Sequence, residues 1–499
     1  MSATTDCDVL VVGGGPVGVA TALLLAKEGF SVIVAETAAE IHPLPRAAHI
    51  DHEIVRVFQS IGVADEIMST SKTAGRYDFL TADREVLMRL DTGGAQGPSG
   101  WPASNMIHQP SMEVALRARL AATPDAELRA QWTLTALTPG ADGVLAHFAT
   151  PQGARTIHSR YLIGCDGARS TVRDLCSIDL DDLQFDEPWL VIDTIVHDPS
   201  RLPDANLQIC DPERPTTCVQ MGAGRHRWEF MLKPGETPDQ VTDPAFIADL
   251  LKPWNVEGAV TLERSAVYRF HALVARQWRQ DRIFLAGDAA HQTPPFAGQG
   301  LCSGIRDGAN LAWKLGAVSR GEARDALLDT YQAEREPHIR SVIDLALMMG
   351  RMVCILDPVA AAERNKAMLA QRAAGGGPGG APPSTPLSAG CILAGSPGAG
   401  DLFPQPRSPN GQGLDDVLGP GPWLISAETV SHAPGLMALS LQDPKLSPFA
   451  EDLQGWLSRR TAAAVLVRPD RYVFGTGDAP ALSKAWTIAL NLTPLATPK

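Results

Sequence analysis

Apolar residues near the N-terminus occur in blocks that predict a strand, a helix and a second strand. Residues 8–12 and 31–36 are largely apolar runs of strand length, which is typical of buried parallel strands. Residues 17–27 between them have helical character, and Gly29 is a typical residue just beyond a helix end. This part of the chain therefore predicts a β–α–β unit of an α/β domain.

Two later apolar runs repeat the strand signal. The run 161–164 precedes an Asp-Gly pair, and the run 282–286 precedes a Gly-Asp pair. Between them, residues 178–270 contain short runs rich in β-branched and aromatic residues, such as 189–194. This region predicts a mostly antiparallel sheet inserted into the α/β domain, to which residues 73–100 add strands.

The C-terminal half begins with a helical pattern. Residues 306–315 and 326–349 carry apolar side chains at three- and four-residue spacing, which predicts two helices. Residues 375–384 are almost all glycine and proline, and such a composition predicts a linker without regular structure. The residues that follow, up to Lys499, are numerous enough for a separate small domain.

Composition narrows the class of protein. A chain of 499 residues predicts roughly two to four domains. The net charge of −13 argues against a partner such as nucleic acid or an anionic membrane, and no run has the length and apolar character of a membrane span. The N-terminus lacks a signal-peptide pattern, so a soluble, cytoplasmic protein is expected. The eight cysteines show neither a CxxC pair nor zinc spacing, and they are expected to be buried thiols, with no metal site.

A glycine motif follows the first predicted strand. Gly13, Gly15 and Gly18 form a G-x-G-x-x-G pattern at the start of the predicted helix. The first glycine permits a tight turn, the second lets the backbone approach a pyrophosphate, and the third lets the helix pack on the strand. Glu36 ends the second strand, where an acid can bind a ribose diol. Together these features predict a dinucleotide site.

Two further motifs suggest a particular dinucleotide. Asp166-Gly167 continues as ARSTVR, and Gly287-Asp288 continues as AAHQTPPFAGQG. In this order the three motifs resemble those of the class A flavoprotein aromatic hydroxylases, such as p-hydroxybenzoate hydroxylase. The third motif is most similar to that of the phenol and 3-(3-hydroxyphenyl)propionate hydroxylases. The resemblance covers about residues 6–350, and the segment 465–470 extends it.

The resemblance implies roles for individual residues. Asp288 and Gln109 would lie near the ribityl chain of FAD, Arg46 near its phosphates, and Pro295 beside the reactive edge of its ring. The helix beginning at Gly300 would direct N–H groups at the flavin C2 carbonyl. The implied cofactor-binding residues are Gly13, Gly15, Pro16, Gly18, Glu36, Arg46, Gln109, Asp166, Gly167, Gly287, Asp288, Pro295, Gly300 and Leu301, and those facing substrate are Pro294, Pro295 and Phe296.

Some positions receive a structural interpretation instead. Cys302 stands where related sequences often carry Asn, and a thiol is a weak donor to a flavin carbonyl. His291 is expected to be a structural hydrogen-bonding residue, and His49 and Tyr268 are expected to pack in the core. The sequence identifies no catalytic base.

The implied activity is that of an FAD-dependent monooxygenase. It would hydroxylate a small phenolic substrate with NADPH or NADH and O2, through a C4a-hydroperoxyflavin. Two alternatives stay open: a Baeyer–Villiger or polyketide-tailoring oxygenase on the same fold, and a non-hydroxylating flavoprotein. A homodimer is compatible with the resemblance.

The expected fold class is α/β, with a Rossmann-like FAD-binding domain, an inserted substrate sheet and a C-terminal domain. Relatives carry a thioredoxin-like fold at the C-terminus, and the CxxC pair of thiol redox proteins is missing here, so a structural or dimer-forming role is expected. The expected divisions are 1–72, 101–177 and 270–372 for the FAD domain, 73–100 and 178–269 for the substrate sheet, 373–390 for the linker and 391–499 for the C-terminal domain.

Overall fold

The fold is mixed α/β. The structure, a computed structural model, describes residues 5–375, 385–430 and 435–491. The glycine-rich centre of the expected linker, residues 376–384, lies outside the described residues.

Most of the described strands are short, and three of them have 12, 17 and 16 residues. In chain order they are β1 (Cys7–Val12), β2 (Val32–Glu36), β3 (His49–Asp51), β4 (Lys72–Thr73), β5 (Arg76–Leu80), β6 (Val86–Asp91), β7 (Ser104–Met106), β8 (Ala126–Ala130), β9 (Thr133–Pro139), β10 (Val144–Thr150), β11 (Gly153–Gly164), β12 (Leu180–Val196), β13 (Asn206–Ile209), β14 (Thr216–Met221), β15 (Arg225–Met231), β16 (Val260–Ala275), β17 (Arg279–Gln280), β18 (Ile283–Leu285), β19 (His291–Gln292), β20 (Trp423–Ser426), β21 (Met437–Ser440), β22 (Ala464–Val467) and β23 (Val473–Gly477).

The helices include two long ones, α8 and α9. The α-helices are α1 (Pro16–Lys27), α2 (His52–Ser60), α3 (Ala64–Ser69), α4 (Gln109–Ala121), α5 (Thr171–Leu175), α6 (Pro238–Val241), α7 (Pro244–Leu251), α8 (Gly300–Ser319), α9 (Thr330–Val353), α10 (Pro358–Ala373), α11 (Leu414–Leu418), α12 (Ala450–Ser458) and α13 (Ala479–Leu490). Short 3-10 helices span Pro199–Arg201, Lys252–Trp254, Gly287–Ala289, Pro295–Ala297, Asp325–Asp329 and Ser447–Phe449. Within the described ranges no single helix has the length and apolar composition of a membrane span, although the bent pair Asp325–Val353 and Pro358–Ala373 meets that test jointly.

The first sheet has the strand order β17-β18-β11-β1-β2-β8. Strand β1 runs parallel to β2 and β11, and β11 runs parallel to β18. The predicted β–α–β unit and the predicted strands at 161–164 and 282–286 are therefore confirmed. Strand β11 is longer than predicted because its first half pairs with β10 as a hairpin.

The second sheet has the order β19-β16-β12-β15-β14-β13-β5-β6. Its neighbours are antiparallel except β13 and β5, which run parallel, so the sheet is mixed. Strand β16 continues through the division expected at 269/270, because its end pairs with β19 from the third motif. The division expected at 72/73 falls inside β4, which pairs with β7 in a separate three-stranded sheet. The pairing of β-strands, and not the sequence composition, thus determines where the FAD region and the substrate sheet meet.

The C-terminal residues form their own four-stranded sheet, in the order β21-β20-β22-β23. Strands β20 and β21 are parallel, and the remaining pairs are antiparallel. Trp423, Ile425, Val465 and Trp456 belong to a separate apolar core on this sheet. The other face of the sheet is not separate, because Leu424 and Leu466 belong to one apolar cluster with Trp313 of α8.

A buried ion cluster joins this C-terminal unit to the two long helices. The Nη2 atom of Arg468 lies 2.7 Å from Glu334 Oε2 on α9 and 2.6 Å from Asp470 Oδ2. Lys314 Nζ on α8 lies 2.9 Å from the same Glu334 oxygen. Burial would raise the pKa of Glu334, but the charges of Arg468 and Lys314 bring it to about 2. Buried charges are stable only when they are paired, so these four residues hold the C-terminal unit against α8 and α9.

Removing Arg468 tests this cluster. Arg468→Met leaves Glu334 and Asp470 short of a cation and is expected to destabilise the protein by about 3 kcal/mol. The matched control is Arg460→Met, which removes a half-exposed pair with Asp401 at 2.8 Å in the same unit and is expected to cost less than about 1 kcal/mol. Urea denaturation followed by tryptophan fluorescence gives both midpoints. Equal midpoints would show that the cluster does not hold the units together.

Candidate active site

One cavity of about 1170 Å³ lies between the two large sheets. One side of it is formed where parallel strands β1, β2, β11 and β18 end, the usual ligand position in an α/β sheet. The opposite side is formed by β12, β14, β15 and β16 of the second sheet. Residues of both regions therefore face a single space.

The glycine turn is shaped by close backbone packing. Gly13 has φ +107°, and a Cβ atom there would overlap the carbonyl of Cys165. A Cβ atom on Gly18 would overlap the carbonyl of Gly13. Gly15, in contrast, has no atom within 4 Å of a Cβ position and lines the cavity at the start of α1. The turn thus leaves an open approach to a helix N-terminus, where anions bind.

Glu36 at the end of β2 stiffens the same turn. Its carboxylate accepts hydrogen bonds from the N–H of Gly14 at 2.6 Å and from that of Ala38 at 2.7 Å. Glu36 also lines the cavity. Each carboxylate oxygen keeps acceptor capacity for a ligand hydroxyl.

The Asp-Gly motif contributes a second turn. Asp166 accepts hydrogen bonds from Ser170 Oγ and from the N–H of Val172 at 3.0 Å, so it caps the start of α5. Burial raises the pKa of Asp166. Gly167 has φ +81° and lines the cavity next to it.

Asp288 is a carboxylate without a partner in the described parts of the chain. It lines the cavity and is exposed within it. The surrounding protein desolvates this carboxyl and raises its pKa. A carboxylate held in this way gains stability from a ligand that donates hydroxyl hydrogens.

The loop before α8 brings apolar surface and a helix start to the cavity. Pro295 and Phe296 line it, and Phe296 packs edge-on against Phe185 and Trp189. Helix α8 begins at Gly300, as predicted, and its first residues line the cavity. Pro294 is buried and does not line the cavity, which corrects the expectation that it faces substrate.

Gln109 positions the loop that carries Arg46. Its Oε1 atom accepts the N–H groups of Arg46 at 3.0 Å and Ala47 at 2.7 Å, and its Nε2 atom donates to Glu113 at 2.8 Å. The Arg46 side chain is exposed in the cavity. The Gln109 amide is thus occupied by protein contacts, whereas the Arg46 guanidinium faces the cavity.

The structure brings most of the expected cofactor residues together. Gly18 and Gly287 do not line the cavity, because they pack behind the turns that they shape. The Nε2–H group of His291 donates to Asp307 Oδ2 at 2.6 Å, as expected of a structural hydrogen-bonding residue. His49 and Tyr268 line the cavity, so the expectation of core packing is wrong for both. The residues that line it as expected are Gly13, Gly15, Pro16, Glu36, Arg46, Gln109, Asp166, Gly167, Asp288, Pro295, Phe296, Gly300 and Leu301.

A buried charge cluster on the second sheet was not predicted from the sequence. Asp193 Oδ1 accepts from Arg227 Nε at 2.7 Å, and Asp193 Oδ2 accepts from Arg264 Nε at 2.6 Å. Arg264 Nη2 also donates to the carbonyl of Pro45 at 2.6 Å, and Arg227 Nη1 donates to that of Arg46 at 3.0 Å. One signal was available: Asp193 interrupts an apolar strand of buried residues.

Comparison with known proteins identifies the family. The model described as FAD binding domain matches residues 6–346. The chain belongs to the FAD-binding domain family. The probable NADH-specific resorcinol 4-hydroxylase of Rhodococcus jostii (strain RHA1) is 36% identical over 94% of this chain and 91% of its own. The 3-(3-hydroxy-phenyl)propionate/3-hydroxycinnamic acid hydroxylase of Mycobacterium sp. (strain JLS) is 35% identical over 98% of this chain and 93% of its own.

The fold is also found in a solved structure. Aklavinone-11 hydroxylase, in a ternary complex with FAD and aklavinone, matches with a TM-score of 0.77 at 23% identity over 98% of this chain and 99% of its own. The protein is an FAD-dependent aromatic hydroxylase that uses NAD(P)H. The relatives do not favour the tailoring-oxygenase or non-hydroxylating alternatives. The open Gly15, the exposed Asp288 carboxylate and the helix starts at one cavity fit FAD.

A methyl group at Gly15 tests the phosphate approach. Gly15→Ala places a Cβ atom in the open space at the start of α1, so the FAD dissociation constant is expected to rise at least about tenfold. Gly455→Ala is the control, because its Cβ atom meets only Arg459 Nη1 at 3.5 Å in a distant helix. Flavin fluorescence during titration of apoprotein gives both constants. Equal affinity in the two variants would contradict this assignment of Gly15.

Proposed function

We propose that the protein adds a hydroxyl group to a phenol that carries a further substituent at the meta position, with NADH as reductant and O2 as oxidant. One observation carries the proposal: a single cavity contains both the cofactor residues and a wall that presents a tyrosine and buried charges. Its relatives are named for resorcinol and for 3-(3-hydroxyphenyl)propionate, which are both meta-substituted phenols. The NADH preference rests on the name of the Rhodococcus relative.

We propose that FAD lies with its pyrophosphate at the start of α1. Gly13, Gly15 and Pro16 would contact the phosphates, with Arg46 supplying positive charge. Glu36 would accept hydrogen bonds from the hydroxyls of the adenosine ribose, and Asp288 would accept them from the hydroxyls of the ribityl chain. The remaining contacts are proposed for Asp166, Gly167, Gln109, Pro295, Gly300 and Leu301. Gly18 and Gly287 would act by shaping their turns.

Bound FAD supplies the chemistry of hydride acceptance and O2 activation, which protein side chains lack. The chain contributes shielding and orientation. Pro295 and Phe296 present apolar surface that excludes water from the reacting region. Arg264 Nη1 donates to Tyr268 Oη at 2.5 Å, which leaves the tyrosine hydrogen free to donate into the cavity. We propose that Tyr268 orients the reacting hydroxyl of the phenol.

We also propose that the C-terminal unit, within 391–499, is thioredoxin-like. The order β21-β20-β22-β23, one parallel pair followed by two antiparallel pairs, and a helix after the last strand support this assignment. Its role would be structural, because Cys391 is buried and burial raises the pKa of its thiol to about 12. The divisions at 100/101 and 177/178 are proposed as limits of the FAD and substrate regions, and those expected at 72/73 and 269/270 would instead fall at the ends of β4 and β16.

Anaerobic stopped-flow reduction tests the proposed function. NADH and NADPH are mixed with the yellow protein, with and without resorcinol, 3-methylphenol and 3-(3-hydroxyphenyl)propionate. We expect NADH to reduce the flavin faster in the presence of a meta-substituted phenol, and the aerobic reaction to give a product with one more hydroxyl group.

The control ligands are ketones without a phenol group. If ketones and not phenols accelerate reduction and are converted to esters, the enzyme is a Baeyer–Villiger oxygenase. If NADPH reduces the flavin faster than NADH, the proposed reductant is wrong. If the purified protein binds no flavin, the cofactor assignment itself fails.

A further inference from the structure

Glu229 is a cavity residue that none of the proposed steps uses. It lies on β15, directly between Val191 on β12 and Thr217 on β14, and all three line the cavity. The Glu229 side chain is 13% exposed. A carboxylate therefore stands within a partly apolar wall, on the side of the cavity opposite the glycine turn.

Within the described chain the Glu229 carboxylate has one distant partner, an ion pair with Arg227. Its nearest cation is Arg227, whose Nη1 atom is 3.6 Å away and already donates to the carbonyl of Arg46. The neighbouring Thr217 hydroxyl donates to Gln208 Oε1 at 2.8 Å. Burial raises the pKa of Glu229. A carboxylate in this position is stabilised most by a ligand group that donates a hydrogen bond to it.

The cations nearest to Glu229 form their shorter contacts with other groups. Each guanidinium nitrogen of Arg227 and Arg264 donates to Asp193, to a carbonyl of the Pro45–Arg46 segment or to Tyr268. Arg76 and Arg269, which also line the cavity, pair with Asp204 and Asp186 and are 35% and 59% exposed. The enclosed wall thus offers an incoming anion a carboxylate instead of a free guanidinium.

We propose that Glu229 is a specificity-determining residue that accepts a hydrogen bond from a second hydroxyl group of the substrate. This inference rests on the proposed phenol hydroxylation and narrows its substrate to neutral diols. Tyr268 and Glu229 then contact different hydroxyls of the same ring. A substrate with a carboxylate in place of the second hydroxyl places two negative groups together, which disfavours binding.

Substitution of Glu229 tests the proposal through ligand binding. The holoenzymes are titrated with resorcinol, 3-methylphenol and 3-(3-hydroxyphenyl)propionate, and the change in flavin absorbance gives each dissociation constant. In Glu229→Ala we expect the preference for resorcinol over 3-methylphenol to fall at least about tenfold, because a hydrogen bond to a charged acceptor is lost. We expect affinity for the propionate to rise severalfold in both Glu229→Ala and the shape-conserving Glu229→Gln.

Glu187→Gln is the matched control. Glu187 lies on β12 of the same sheet, and burial raises its pKa as well, but it does not line the cavity. Its variant should keep the wild-type preference. FAD content verifies that each variant is folded.

Three results would overturn the inference while leaving phenol hydroxylation intact. The first is an unchanged preference for resorcinol over 3-methylphenol in both Glu229 variants. The second is a wild-type enzyme that hydroxylates the propionate more efficiently than resorcinol. The third is an equal loss of turnover for all three phenols with unchanged binding, which would make Glu229 a general base. A wild-type enzyme that hydroxylates none of the three phenols refutes the proposed function instead.

Discussion

Helix α8 carries charges that are buried and must each find a partner, and the arrangement of the protein depends on this requirement. Arg306 on this helix binds Asp51 and Glu53 from the N-terminal region. Asp307 binds His291 and Arg335, and Lys314 pairs with Glu334, which also holds the C-terminal Arg468. An unpaired charge at any of these positions would cost several kcal/mol. The helix therefore has only one position relative to regions that lie far apart in sequence.

The opposite face of α8 imposes a steric constraint. A Cβ atom on Gly304 would lie 2.7 Å from Val17 Cγ2, and one on Gly308 would overlap Thr21 on α1. The backbone of α8 therefore packs directly against the side chains of Val17 and Thr21 on α1. Because both begin at the cavity, at Pro16 and Gly300, this contact places two helix N-termini at the same cavity. Two partial positive charges there suit a cofactor with a pyrophosphate and an electron-accepting ring.

The sequence predicted best what depends on neighbouring residues. Gly18 is needed because a Cβ atom there would overlap the carbonyl of Gly13, five residues earlier, so this requirement is visible in one short segment. The charge cluster of Asp193, Arg227 and Arg264 was missed, because its members meet only after three strands pair in one register. Pro294 was assigned to the cavity from a motif, yet adjacent residues of a loop point in different directions, and Pro295 and Phe296 line the cavity whereas Pro294 does not.

The same charge cluster explains why the cofactor side and the substrate wall are not independent. Arg227 and Arg264 are held by Asp193 and in turn donate to the carbonyls of Pro45 and Arg46, in the loop that presents Arg46 to the cavity. Loss of Asp193 would release both guanidiniums and shift that loop along with the wall. Glu229 differs, because among the described residues its ion pair is a long one, 3.6 Å from Arg227, and Arg227 has shorter contacts with Asp193 and Arg46. Substitution of Glu229 is therefore expected to change substrate preference more readily than substitution of Asp193. Glu229 does not support the loop that presents Arg46 to the cavity, whereas Asp193 does.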